Sequence, residues 1–168
     1  MHRIADIVTD DTYEFLQVER PVAAPLYQTS LFTFPTVQAL RQALSDELST
    51  HLYSRGNNPT VELVEQRIAA LEGGERAKLF SAGVAAIASS ILSCVGQGDH
   101  IVCSTDAYTW AKYISNIYLK RFGVTTTFVD ATNIEEVERA IQPNTKVLYL
   151  ESPGTLYLRV QDLSSLAK

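Results

Sequence analysis

The sequence predicts an α/β fold in which helices cover both faces of a mostly parallel sheet. Short apolar runs of strand length occur at Ala77 to Ser81, His100 to Ser104, Val124 to Val129 and Lys146 to Glu151, and helical patterns separate them. Strands alternating with helices build right-handed βαβ units, which require parallel pairing. Composition agrees: 46% hydrophobic and 20% charged residues with 8 Gly and 6 Pro describe an ordinary globular chain. A chain of 168 residues can bury roughly 70% of its unfolded surface around one core.

Taken in order, the elements begin with an irregular stretch up to Asn58. Pro21, Pro25 and Pro35 space an extended apolar arm whose Leu26, Tyr27, Leu31, Phe32 and Phe34 need cover from the rest of the fold or from a second subunit. Leu40, Leu44 and Leu48 predict a short helix from Val37 to Leu48. A second helix is expected from Asn58 as N-cap and Pro59 at its first position. Glu62 favours its positive end, Val61, Val64, Ile68 and Leu71 lie on one face, and Gly73-Gly74 stops it. Gly83 to Val95 is a nearly all-apolar buried helix. Trp110, Ile114, Ile117 and Tyr118 stripe the next, ended by Gly123, and a capping box of Thr132 and Glu135 opens another, carried by Ile134, Val137 and Ile141. Leu163 to Lys168 has the pattern of a helix barely begun.

Several functions are excluded or weakened. The chain carries 14 Lys+Arg against 19 Asp+Glu, a net charge of −5, without the basic surplus of a duplex-reading or polybasic membrane-binding protein. Met1 to Asp6 is neither a secretory signal nor a transit peptide, and no apolar run spans a bilayer, so a cytoplasmic location is expected with no membrane or nucleic-acid partner. Cys94 and Cys103 lack metal or redox spacing and are expected to be reduced core thiols. His2, His51 and His100 form no cluster with a nucleophile, so no metal site and no triad is expected.

In open α/β sheets ligands bind beyond the carboxyl ends of the strands. Ser81-Ala82-Gly83-Val84-Ala85-Ala86 is a small-residue turn opening a helix, where unpaired N–H groups suit a phosphate; tight helix-on-sheet packing is the equal alternative. It is neither of the glycine-rich dinucleotide or triphosphate signatures. Tyr108, in the turn after the second strand, can lie against a flat heteroaromatic ligand or simply pack. Glu151-Ser152-Pro153-Gly154-Thr155 sets a carboxylate and hydroxyls beside a turn, and Tyr53-Ser54-Arg55 offers a hydroxyl and a planar cation suited to phosphate oxygens.

Together these stretches resemble a known family. The order Tyr53 to Thr60 (Y-x-R-x-x-N-P-T), Leu63 to Gly74 (L-E-x-x-I-A-x-L-E-G-G), Ser81 to Ile87, Gly98 to Val102, the Tyr108 turn and Glu151 to Pro153 is similar to the N-terminal half of the Cys/Met-metabolism pyridoxal-phosphate enzymes. That family includes cystathionine gamma-synthase, cystathionine beta- and gamma-lyase and methionine gamma-lyase. Pro25 to Ser30 resembles the family's arm. The resemblance implies a fold-type-I transferase fold with an incomplete large-domain sheet. An arm and dimer-contact segment would span 1–58, and the first part of the cofactor domain 59–168. It implies pyridoxal 5'-phosphate as cofactor, an amino-acid substrate and a homo-oligomer, dimeric or tetrameric, whose subunits share sites. Gly83 and Val84 would hold the cofactor phosphate through backbone amides, Tyr53 and Arg55 would reach the phosphate of the other subunit, and Tyr108 would stack on the ring and assist proton transfer.

Departures from the pattern are specific. The family's E-S-P-x-N-P is Glu151-Ser152-Pro153-Gly154-Thr155-Leu156 here, so Thr155 is expected to donate where the family's Asn binds the cofactor's phenolic oxygen. Thr109-Trp110-Ala111 replaces the small G-G-T after the aromatic residue, altering the pocket wall. The lysine that carries the cofactor covalently is expected beyond Lys168, because Lys78, Lys112, Lys120, Lys146 and Lys168 have the positions of solvated surface residues. The expected activity is β/γ-elimination or γ-replacement on sulfur amino acids or O-acyl-homoserine. The chain itself is expected to be an inactive N-terminal fragment, or alternatively a partner that lends phosphate-binding residues to an intact subunit.

Overall fold

A computed structural model describes Ile4 and residues 22–168; the expectations for Met1 to Asp6, Ile4 apart, and for Pro21 lie outside them. The chain forms two compact units, one ending at Leu79 and one running from Phe80 to Lys168.

In the first unit, helix α1 spans Val37–Ser45, capped by the Thr36 side chain, and α2 spans Pro59–Glu72. The Asn58 side chain accepts from the Thr60 amide, Pro59 occupies the first turn, and Gly73 closes α2 in the left-handed region at φ 67°. The arm is fastened to the start of this helix. Asn58 Nδ2 donates to the Tyr27 carbonyl at 3.0 Å, and Tyr27 N–H donates to Thr60 Oγ1 at 2.9 Å. Leu31 forms an antiparallel bridge with Tyr53, and the Phe32 ring lies 5.7 Å from that of His51. The buried apolar face of α2 is Leu63 and Ala69; Val61, Val64 and Leu71 of the expected stripe are exposed.

The stretch Ala77 to Ser81 forms no strand. A strand exists only through its ladder, and here the Leu79 amide donates to Glu65 Oε1 at 3.0 Å while Lys78 Nζ holds Glu65 Oε2 at 2.6 Å. Lys78 is thus the partner of a buried carboxylate, and Lys112 likewise donates to the Thr105 carbonyl, so neither is merely solvated.

The second unit holds a parallel sheet in the order β2-β1-β3: β1 His100–Ser104, β2 Thr125–Val129 and β3 Thr145–Tyr149. Every residue of central β1 is buried. Helix α3 (Gly83–Leu92) and the segment from α4 (Thr109–Tyr113) cover one face, where Ile91, Ile101, Cys103, Ala107, Ile114 and Leu119 pack together. Val102, Val129, Ala131 and Val137 form the core of the other face, under α5 (Ile134–Ala140), with Leu166 of the short α6 (Leu163–Leu166) against them. Cys103 is buried, which raises its thiol to about 11, whereas Cys94 is exposed and not the core thiol expected.

Two local departures have clear causes. The single helix expected up to Gly123 is α4, then a π-helical turn (Ile114–Tyr118), then a 3-10 turn (Leu119–Phe122). Ser115 Oγ donates back to the Ala111 carbonyl at 2.9 Å and Thr126 Oγ1 takes the Ser115 carbonyl at 2.9 Å, drawing backbone acceptors away from the regular ladder. The cap of α5 is Asn133 rather than Thr132, whose hydroxyl donates to Asp130 Oδ1 at 2.7 Å.

His100 is a buried polar ring at the start of the central strand. Its Nδ1 lies 2.8 Å from Thr145 Oγ1 and its Nε2 lies 2.9 Å from Thr127 Oγ1, linking all three strands near their amino ends. Burial lowers its pKa below the usual histidine value.

Candidate functional site

The carboxyl end of the sheet is built from the turn after β1 and the loop after β3. Tyr108 occupies the position before α4, and its N–H donates to Glu151 Oε2 at 2.9 Å. The other Glu151 oxygen accepts the Thr155 hydroxyl proton. Tyr108 is 38% exposed, as a residue that meets a planar ligand would need to be. Thr155 has one hydroxyl proton and gives it to Glu151, which leaves the lone pairs of its oxygen for other donors.

A charged clamp underlies this contact. Arg159 Nε donates to Asp106 Oδ2 at 2.6 Å and Nη1 to Asp130 Oδ2 at 2.7 Å, so one guanidinium ties the β3 loop to residues just past the ends of β1 and β2. The hydrogen bond from Arg159 helps hold Asp106 below the ordinary carboxylate range, and the Thr132 hydroxyl, followed by Arg159, brings Asp130 down to about 2. Thr155 N–H donates to the Asp106 carbonyl at 2.8 Å. Gln161, 3% exposed, spans the loop base: Nε2 reaches Ser104 Oγ at 2.9 Å and Oε1 accepts from Glu151 N–H at 3.2 Å. None of Asp106, Asp130, Arg159 and Gln161 was marked as functional by sequence. The available signal was position, since Asp130 directly follows β2 and Asp106 stands two residues past β1.

At the start of α3, Ala82 supplies no side-chain cap, and the amides of Gly83 and Val84 donate to no acceptor among the described residues. A Cβ built on Gly83 meets nothing within 4 Å. Free donors, the positive end of a ten-residue helix and open space thus coincide.

Tyr53 and Arg55 belong to the first unit. The Arg55 guanidinium lies over the Tyr53 ring, 4.8 Å from its centroid, and the turn is fixed by Gly56 and Asn57 amides that donate to the Tyr53 carbonyl at 2.8 and 3.2 Å.

Residues 9–168 match the sequence profile of the Cys/Met metabolism PLP-dependent enzymes. The chain belongs to that family. Its relatives include the L-methionine gamma-lyase of Fusobacterium nucleatum, 40% identical over 147 residues, and the cystathionine beta-lyase MetC of Bacillus subtilis, 38% identical. Each alignment covers 88% of this chain but only 37% and 35% of the respective relative, so the chain spans little more than a third of their length. The crystal structure of metB from Corynebacterium glutamicum is 30% identical with a TM-score of 0.87, over 99% of this chain and 42% of that one.

The cofactor of this pyridoxal-phosphate family combines a phosphate with a flat pyridine ring, and the donor set suits both parts. Two unaccepted amides face open space at α3, and a partly exposed tyrosine ring lies at the sheet's carboxyl end. Among the described residues no cluster of three or more His, Cys, Asp or Glu could hold a metal ion, and no helix is long and apolar enough to cross a membrane.

Proposed function

We propose that this chain provides the phosphate seat and ring-facing wall of a cytoplasmic pyridoxal-5'-phosphate-dependent trans-sulfuration enzyme. The reaction is β/γ-elimination or γ-replacement on a sulfur amino acid or O-acyl-homoserine. The observation that carries the reading is the pair of free amides at Gly83 and Val84, in a chain of this family, with room above them. Bound there, the cofactor supplies an electron sink for charge developing at the substrate's α-carbon.

The chain's own residues bind and orient. Gly83 and Val84 N–H groups take the phosphate at the positive end of α3. Tyr108 places its ring against the pyridine and its phenol as a proton carrier, held at its backbone by Glu151. Thr155 gives its hydroxyl proton to Glu151 and would offer its lone pairs to the ligand side. Tyr53 and Arg55 serve a second subunit of a homo-oligomer, where the guanidinium supplies a planar fork for phosphate oxygens.

Equilibrium dialysis of the full chain against pyridoxal 5'-phosphate tests this. Saturable binding that inorganic phosphate competes away supports the reading, and a chain that takes up no cofactor refutes it.

A further inference from the structure

We propose that Arg159 is the positioning residue of this site: by bridging Asp106 and Asp130 it sets where Glu151 and Thr155 stand against Tyr108. Its bearing on the cofactor rests on the pyridoxal-phosphate reading above; the clamp itself rests on geometry alone.

The loop after β3 needs such a device. Leu156 and Leu158 take φ values of 69° and 53°, a region residues with a side chain avoid. Both side chains are exposed, so burial does not hold them there. What holds the loop is polar contact at its ends. Gly154 N–H donates to the Arg159 carbonyl at 2.9 Å and Leu158 N–H to the Gly154 carbonyl at 3.1 Å, closing the loop on itself. Arg159 then anchors that closed unit sideways. Its fork spans two carboxylates on two different strand exits, a geometry that a lysine's point charge does not reproduce. The Asp106 side chain is only 4% exposed and requires a cationic partner to stay ionised. Asp106 in turn accepts from Thr155 N–H through its carbonyl, two residues before Tyr108. A shift of the guanidinium therefore reaches Thr155 and Tyr108 through one shared residue.

Amide hydrogen exchange on the full chain, without cofactor, reads the clamp directly. Arg159→Gln is expected to speed exchange at Tyr108 and Thr155 by about tenfold or more, while Ile101 and Val102 of β1 keep their protection. Arg159→Lys and Asp130→Asn, each retaining the Asp106 pair, are expected to lie between; they also decide the matter if Arg159→Gln fails to fold. Affinity for pyridoxal 5'-phosphate is expected to fall in the same order, with partial recovery in Arg159→Lys. Unchanged exchange at Tyr108 and Thr155, or equal acceleration at Ile101 and Val102, overturns the assignment. So does a loosened loop with unaltered cofactor affinity. If the unsubstituted chain binds no cofactor, the functional reading falls and the exchange rates alone judge the clamp.

Discussion

Gly154 crosses so close to Asp106 that a Cβ built on the glycine would stand 2.7 Å from the aspartate's own Cβ. The β3 loop is thereby pressed against the exit of β1, and no other residue type fits at 154 without moving one of the two backbones. Gly154→Ala is expected to destabilise the chain by about 1–3 kcal/mol, as overpacking does. Urea denaturation checks this: an unchanged midpoint would mean the loop gives way freely.

The helix start at Gly83 allows a substitution that removes one donor and little else. Ala82 is extended, at φ −152° and ψ 147°, as a residue before proline prefers, and the first helical position tolerates a ring. Gly83→Pro should keep the circular dichroism of the parent and weaken pyridoxal 5'-phosphate binding by about tenfold, the worth of one charge-assisted hydrogen bond. Equal affinity would move the phosphate elsewhere.

Acid should act through the Arg159 clamp. Asp130 is lowered to about 2 and Asp106 is also lowered, so both bind protons more weakly folded than unfolded. Their contribution is complete above the unfolded carboxylate value of about 4 and is lost as pH falls toward about 2. Melting temperatures measured from pH 5 down to pH 2 should drop less steeply for Asp130→Asn than for the parent chain. Parallel curves would count against the assignment.

His100 gives a second, separate pH limb. Its lowered pKa means that the unfolded chain takes up a proton before the folded one, so stability is full above about 6.5 and declines below it. His100→Gln should flatten the dependence of melting temperature between pH 7.5 and 5.5. A slope that persists in the variant would place the titrating group elsewhere.

Asn58 both caps α2 and fastens the arm through the Tyr27 carbonyl. Asn58→Ala should cost about 1–2 kcal/mol by loss of the cap, and limited proteolysis should find new cleavage near Tyr27. Loss of stability with an unchanged digestion pattern would separate the two roles.

The helix from Pro59 to Glu72 was legible because its cap, its proline and its closing glycine are local signals, and His100–Ser104 because the run Ile101-Val102-Cys103 at its centre is apolar. The Gly83 turn was legible for the same reason, as a small-residue junction of strand-like and helical patterns. Arg159 was not. Its partners lie 53 and 29 residues away in the chain, and a single arginine in a loop carries no periodicity. Ala77 to Ser81 misled because apolar content implies burial but not pairing, and its amide at Leu79 found a carboxylate instead of a neighbouring strand. The Thr155–Glu151 hydrogen bond was not legible either: the glutamate stands four residues earlier, and sequence places it nearby without orienting it.

Leu156 stands where the family pattern has proline, and its φ of 69° is one that a pyrrolidine ring, fixed near −65°, cannot adopt. A proline placed here by Leu156→Pro could not enter the turn that the loop now takes and would need that turn rebuilt. Positions 154 to 159 close on one another and on Asp106 and Asp130, so a graft of this loop into a relative would need all six residues together with both aspartates.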